Sequence, residues 1–261
     1  MKQNVLPSGA TRLLVIFGLT LCAAADANAQ DITVITSGAF QTVYRELVPA
    51  YERATQNKIV TLSGSTSSAT VVQSRLEQGE AADVVIMGDD AIAELIRRGK
   101  VEPGSRVQLV RSSIGMAVRA GAPKPDISSV EALKQALRHA KSIAYSIGAS
   151  GVYLSSELFP SLGIAEELRI KSKEVRGEPV GAVVARGEAE VGFQQLSELL
   201  PVPGIELVGP LPPGAQRITV YSAGVVVGAR RPDEARDLIK FFASSVASVI
   251  RGTGLEALTA Q

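Results

Sequence analysis

Apolar residues along this chain recur in short blocks, separated by Gly, Pro, Ser and Asp, and the blocks switch between two periods. Ile32–Ile35 reads as an apolar strand. Phe40–Thr55 repeats Val43, Leu47, Val48 and Tyr51 along one helical face. Lys58–Leu62 alternates as a strand does. Ala69–Gly79 carries Val71, Val72 and Leu76, ends on Gly and reads as a helix. Asp83–Met87 is a short buried-type strand, stopped by Gly88-Asp89-Asp90, and that Asp pair caps a helix over Ala91–Gly99. Downstream the pattern predicts a strand at Ile114–Val118 and a helix at Ser129–Ala140, with Ser128/Ser129 and Glu131 as its capping pattern. A strand at Ile143–Ser146, helices at Val152–Phe159 and Val180–Arg186 and a strand at Glu190–Phe193 follow. A long strand, Ile218–Val227, is broken at Gly224. Pro232 opens a helix over Asp233–Ser244, and a short helix closes the chain. Repeated β-α-β with short connections predicts an α/β fold of parallel sheets covered by helices.

Three strand-to-helix junctions share one composition. Ser63-Gly64-Ser65-Thr66-Ser67-Ser68 delivers hydroxyls and a Gly to a helix start, as do Thr36-Ser37-Gly38-Ala39 and Gly148-Ala149-Ser150-Gly151. The first turn of a helix has unpaired N–H groups and the positive end of its dipole, so such a junction holds an anion without a formal charge. One such loop alone is an ordinary Ser/Thr cap. Three of them beyond the carboxyl ends of strands lie where α/β sheets bind ligands.

Lys2 and Arg12 precede the apolar run Leu13–Cys22, and Ala27-Asn28-Ala29 follows before Gln30. That is the grammar of a secretory signal peptide over residues 1–29, too short for a membrane span. Leu21 is too large for lipoprotein processing at Cys22, so Cys22 is expected to leave with the leader and the mature chain to hold no cysteine. The 27 basic and 26 acidic residues fall to 25 of each once Lys2, Arg12 and Asp26 are removed. A balanced surface offers no basic field to nucleic acid and no basic run to membrane lipid. Periplasmic location, no stable membrane insertion and a monomer are the expectations.

Catalytic patterns are sparse. The only histidine, His139, ends the charged helix Lys134–Lys141, where it suits the dipole. One histidine without cysteine supplies neither a zinc site nor a Ser-His or Cys-His triad, so no metal is expected. Asp83, Asp89 and Asp90 cluster, but the latter two read as helix caps. No Walker loop or dinucleotide fingerprint occurs, and no cofactor is expected.

The ordered series Ser37-Gly38, Gly64–Ser68, Gly79–Ile86, Ser150-Gly151-Val152-Tyr153, Arg186–Gly192 and Tyr221-Ser222-Ala223-Gly224 resembles the periplasmic molybdate-binding proteins of ABC importers, and more broadly the type II solute-binding fold. The resemblance spans essentially the whole chain after the leader. It implies two parallel-sheet lobes joined by two crossing strands, with the ligand in the cleft. Lobe one would be 30–115 plus 216–261, and lobe two 116–215. In that family hydroxyls and backbone N–H groups hold the oxyanion. Carried over, the first donor is Ser37, beside Gly38. The second falls in Ser65, Ser67 and Ser68, centred on Ser67. The third is the Ser150 N–H before Gly151, and the fourth lies near Gly177. The fifth, a tyrosine hydroxyl, falls at Gln195, which is a departure: an amide both donates and accepts, whereas a tetrahedral oxyanion needs donors only. Arg176, beside the fourth position, would suit a carboxylate, although alone it reads as a surface arginine. Gln194 and Gln195 equally read as solvated loop residues.

The resemblance implies a small anionic ligand, an organic acid or an oxyanion, carried for an ABC permease. It extends to the aconitate isomerases, solute-binding-like proteins that shift a double bond in a tricarboxylate. Ser37, Ser67, Ser150 and Arg176 would then clamp carboxylates; no residue stands out as the base, so the catalytic residues stay unknown at this stage.

Overall fold

A computed structural model describes Met1, residues 31–62 and residues 68–258. The expected signal peptide with Cys22, and the loop positions Gly64, Ser65 and Ser67, lie outside the described residues.

The strands are β1 Ile32–Thr36, β2 Ile59–Leu62, β3 Val84–Gly88, β4 Val107–Arg119, β5 Ile143–Ser146, β6 Ser172–Val175, β7 Val191–Gln195, β8 Ile205–Pro210, β9 Ile218–Val225 and β10 Leu255–Ala257. The helices are α1 Gln41–Thr55, α2 Ala69–Glu77, α3 Asp89–Arg97, α4 Val130–His139, α5 Ala149–Tyr153, α6 Phe159–Ser161, α7 Ala165–Arg169, α8 Val180–Ala185, α9 Leu196–Leu199 and α10 Pro232–Val249. A π-helical turn, Leu154–Leu158, joins α5 to α6.

Strand order is β2-β1-β3-β9-β4-β7-β5-β6, with β8 and β10 also pairing with β4. The β1–β2, β1–β3, β5–β6 and β5–β7 ladders are parallel, as short β-α-β connections require. The long strands run antiparallel to their neighbours. From Val107 to Ser113, β4 pairs with β9; from Ile114 to Val118 it pairs with β7, and β8 bonds it from Gly115 to Arg119. One strand therefore serves two sheets, and the path of ladders runs unbroken through it.

Each sheet is buried on both faces, and strand alternation decides which side chain goes where. In the first sheet Ile32, Val34, Val84 and Ile86 pack towards α1 and α10, with Tyr44 edge-on to Phe242 at 5.9 Å. Ile35, Val85 and Met87 face α2 and α3. In the second sheet Ile114, Met116, Val118 and Phe193 meet α4, α7 and the π-helical turn, while Ala144 meets Val180, Val183 and Val184 of α8.

Most helix and strand positions follow the apolar pattern. The differences have local causes. β4 begins seven residues before the expected Ile114, because Val107–Ser113 pairs with β9 through a register shift at Gln108–Val110 that breaks its alternation. The helix expected from Val152 begins at Ala149. Gly224 does not break β9: it lies in the ladder opposite Val85, and a side chain there would strike Val101. The expected closing helix is a strand, β10, because after α10 the chain turns through Gly252 and Gly254 in the left-handed region and lays Leu255 along β4. The strand β10 and helices α6, α7 and α9 are too short to leave a periodic signal, and β6 and β8 are only partly buried, so no apolar face marks them.

Asp83 ties the first sheet together. It is buried, and accepts from Thr33 N–H and Oγ1, both at 2.8 Å, and from the N–H groups of Arg230 at 2.7 Å and Arg231 at 3.2 Å. It joins β1 to the start of α10, so the carboxylate is structural. Asp83→Ala leaves several buried donors unpaired and should lower unfolding free energy by about 3 kcal/mol, read from urea melts; wild-type stability would contradict this assignment.

Candidate functional site

A cleft of about 1300 Å³ opens between the two sheets, beyond the carboxyl ends of β1, β3, β5 and β7. Its wall is built from the junctions that the sequence singles out. Ser37 and Gly38 follow β1; the Ser37 N–H is held by Ile86 O at 2.8 Å, while its Oγ is buried with no partner among the described residues. Ser68 caps α2, its Oγ accepting from Val71 N–H at 3.3 Å. Ser150 is buried at the start of α5, with Oγ 3.3 Å from Ser146 Oγ. Gly151 admits no side chain, because a Cβ would overlap the Ser146 carbonyl.

The remaining expected residues divide. Gly177, in the left-handed region at φ 77°, turns the chain so that Gly177, Glu178 and Pro179 line the cleft. Arg176 lines an adjoining recess together with Gly151, pairing there with Glu174 at 2.8 Å. Gln195 lies beneath the wall, donating from Nε2 to Thr219 Oγ1 at 3.0 Å, with Oε1 buried and unpartnered among the described residues. Because β7 alternates, the amide on the cleft wall is that of Gln194.

Gln194 leads to the residue that sequence reading missed. Its Oε1 accepts from Val180 N–H at 2.9 Å, which fixes the amide, and its Nε2 donates to Glu198 Oε1 at 2.9 Å. Glu198 lies on α9, its carboxyl set directly against Gly38, where a Cβ would collide with it. Among the described residues no cation pairs with this carboxyl. Burial pushes it up to about 7, against the pull of the Gln194 amide and the Gln195 N–H. Ser197 beside it also has a buried Oγ without a partner among the described residues, and Tyr221 lines the same wall from β9. Burial first and the Glu198 charge second raise the Tyr221 phenol well above its usual value, so it stays a neutral donor. Asp89 contrasts with Glu198. Burial would raise it too, but Arg106 with hydrogen bonds from Ser222 and Gln108 brings it below the usual carboxylate range. It is a fixed anion, and Glu198 is the carboxyl in the cleft poised to exchange a proton near neutrality.

The chain matches the family described as bacterial extracellular solute-binding protein over residues 32–255. It belongs to the bacterial extracellular solute-binding proteins. An aconitate isomerase from a Pseudomonas species is 45% identical over 259 residues, covering 98% of each chain. Among solved structures, the periplasmic molybdate-binding protein of Azotobacter vinelandii superposes with a TM-score of 0.68 at 19% identity, over 88% of this chain and all of that one. A periplasmic binding protein of A. tumefaciens in complex with agropinic acid gives 0.66 at 14%, over 87% and 83%. These likenesses establish the type II periplasmic binding protein fold. Among the described residues no helix of this solute-binding protein is long and apolar enough to cross a membrane.

Glu198 titrates higher in the fold than in the unfolded chain. Between about 4.5 and about 7 the native state therefore binds more protons, and stability falls as pH rises through that window. Glu198→Gln should remove this loss. Its melting temperature should match wild type near pH 4.5 and exceed it at pH 8; scanning calorimetry at both pH values checks this, and equal melting at pH 8 would contradict the burial account.

Proposed function

We propose that this solute-binding protein holds a small polycarboxylate in the interlobe cleft and acts as an aconitate isomerase, with Glu198 carrying the proton. One observation carries the proposal: a carboxyl in the ligand cleft, desolvated to a pKa of about 7 and free of any cationic partner among the described residues. The full-length likeness to an aconitate isomerase supplies the substrate.

The chemistry needs no cofactor. Aconitate has a methylene next to one carboxylate and an alkene next to another. Ionised Glu198 takes a methylene proton and becomes the acid. The electron pair left on carbon spreads over the allyl unit and its carboxylates. Glu198 then returns the proton to the former alkene CH, so the double bond moves to the other arm and the cis or trans geometry is set anew. A pKa near the working pH serves both halves of such a transfer. Ser37 Oγ, the Ser150 junction and the neutral Tyr221 phenol would hold the carboxylates as charge shifts between them. Gly38 would let substrate and Glu198 approach. The lobes, 30–115 with 216–261 and 116–215, would close over the substrate and exclude water. The family assignment supports a periplasmic location.

Family membership favours a second reading, release of an unchanged ligand to an ABC permease. Incubation with cis-aconitate separates the two: chromatography should show trans-aconitate forming, with kcat/KM rising as pH passes through about 7. Glu198→Gln should lose about 10²–10⁴-fold in kcat while still binding substrate, and Ser37→Ala should weaken binding by about 1–3 kcal/mol. No conversion together with tight molybdate binding would return the chain to oxyanion uptake.

A further inference from the structure

Three arginines line the cleft: Arg45, Arg98 and Arg217. Arg98 is committed, pairing with Glu94 at 2.6 Å and donating to Gln73 and Thr70. Arg45 is exposed on α1, and no described neighbour aims it. Arg217 is held. Its guanidinium lies 5.3 Å from the Tyr153 ring centroid, and the Tyr153 hydroxyl donates to Ala215 O at 3.1 Å, two residues before Arg217, so ring and backbone are tied together. On its open side Arg217 pairs with Glu157. Glu157 belongs to the π-helical turn Leu154–Leu158, a rare element found mostly at functional sites, and Tyr153, Glu157 and Arg217 all face the cleft.

We infer that Arg217 binds a carboxylate of the ligand and selects for ligands with more than one, and that Glu157 occupies it until the ligand carboxylate displaces Glu157. This rests on the reading of the cleft as an organic-acid site. The side chains of the pair are 44% and 54% exposed, so the ion pair contributes little to stability and exchanges readily. The cation–π contact keeps the planar fork in place during the exchange, and that fork matches a carboxylate with two parallel hydrogen bonds. Ser37 and the Ser150 junction can neutralise one carboxylate with neutral donors. A second carboxylate needs a positive charge, and Arg217 is the cleft arginine already oriented to supply it.

A competing internal anion has a distinctive signature: removing it should strengthen binding. Titration calorimetry would use tricarballylate, a saturated tricarboxylate with no double bond to shift, and propionate as a monocarboxylate. Arg217→Ala should bind tricarballylate at least tenfold more weakly and narrow its advantage over propionate. Arg217→Lys should recover only part of the loss, because it lacks the fork. Glu157→Gln should bind tricarballylate severalfold more tightly, with an unchanged melting temperature. Wild-type affinity in both Arg217→Ala and Glu157→Gln would overturn the inference and leave the organic-acid cleft standing. Glu157→Gln weakening binding as Arg217→Ala does would make the pair structural, and would also overturn it. A wild-type protein that binds neither acid would overturn the inference and the proposed function together.

Discussion

β4 changes partner between Ser113 and Ile114, from β9 in the first sheet to β7 in the second, and most of the molecule is arranged around that exchange. A strand that must satisfy its backbone in two sheets fixes where those sheets meet. Ile114 N–H is completed by Gln216 Oε1 at 2.9 Å, and Gln216 Nε2 returns a hydrogen bond to Ile114 O at 2.9 Å, so the chain entering β9 is pinned to β4 where β4 changes partner. Gln195 faces Ile114 across the ladder, and its amide reaches Thr219 of β9. The Gln195 and Gln216 amides thus bridge the strands at the crossing, while Gln194 and Glu198 line the ligand space.

The chemistry of the cleft follows from that geometry. α9 starts directly after β7, so Glu198 is delivered to the cleft wall, against Gly38 and with no cationic partner among the described residues. Desolvation there has only two hydrogen bonds to oppose it, and the carboxyl rises to about 7. Asp89 has the same side-chain chemistry and is also partly buried, but it faces the Arg106 fork and stays ionised. Asp89 and Glu198 line one cleft and are set apart by their neighbours, the first held ionised and the second raised by burial.

Much of this was legible in the sequence. The periodicities of Phe40–Thr55, Ser129–Ala140 and Asp83–Met87 survive because apolar burial sets them directly. The loops at Ser37 and Ser150 were legible because the same small polar composition recurs at three strand-to-helix junctions. Glu198 was not legible: in Gln194-Gln195-Leu196-Ser197-Glu198 nothing marks which amide faces the cleft, and a helix of four residues carries no period. Its surroundings come from Gly38, 160 positions away in the chain. Arg176 drew attention by sitting beside Gly177, yet the structure sets it with Glu174 on the adjoining recess. Tyr221 lay within the recognised late-strand motif, but only the register of β9, which sets it beside Gly88 at the end of β3, places it on the cleft wall.

The central claim is that burial without a cationic partner makes Glu198 a proton carrier near neutral pH. Carbon-13 NMR of the carboxyl carbons, titrated from pH 3 to pH 9 and assigned with Glu198→Gln, tests it most directly. The account predicts one glutamate carboxyl with a midpoint near 7, absent from the variant and displaced when tricarballylate fills the cleft. A Glu198 midpoint near 4.5, insensitive to the ligand, would contradict it.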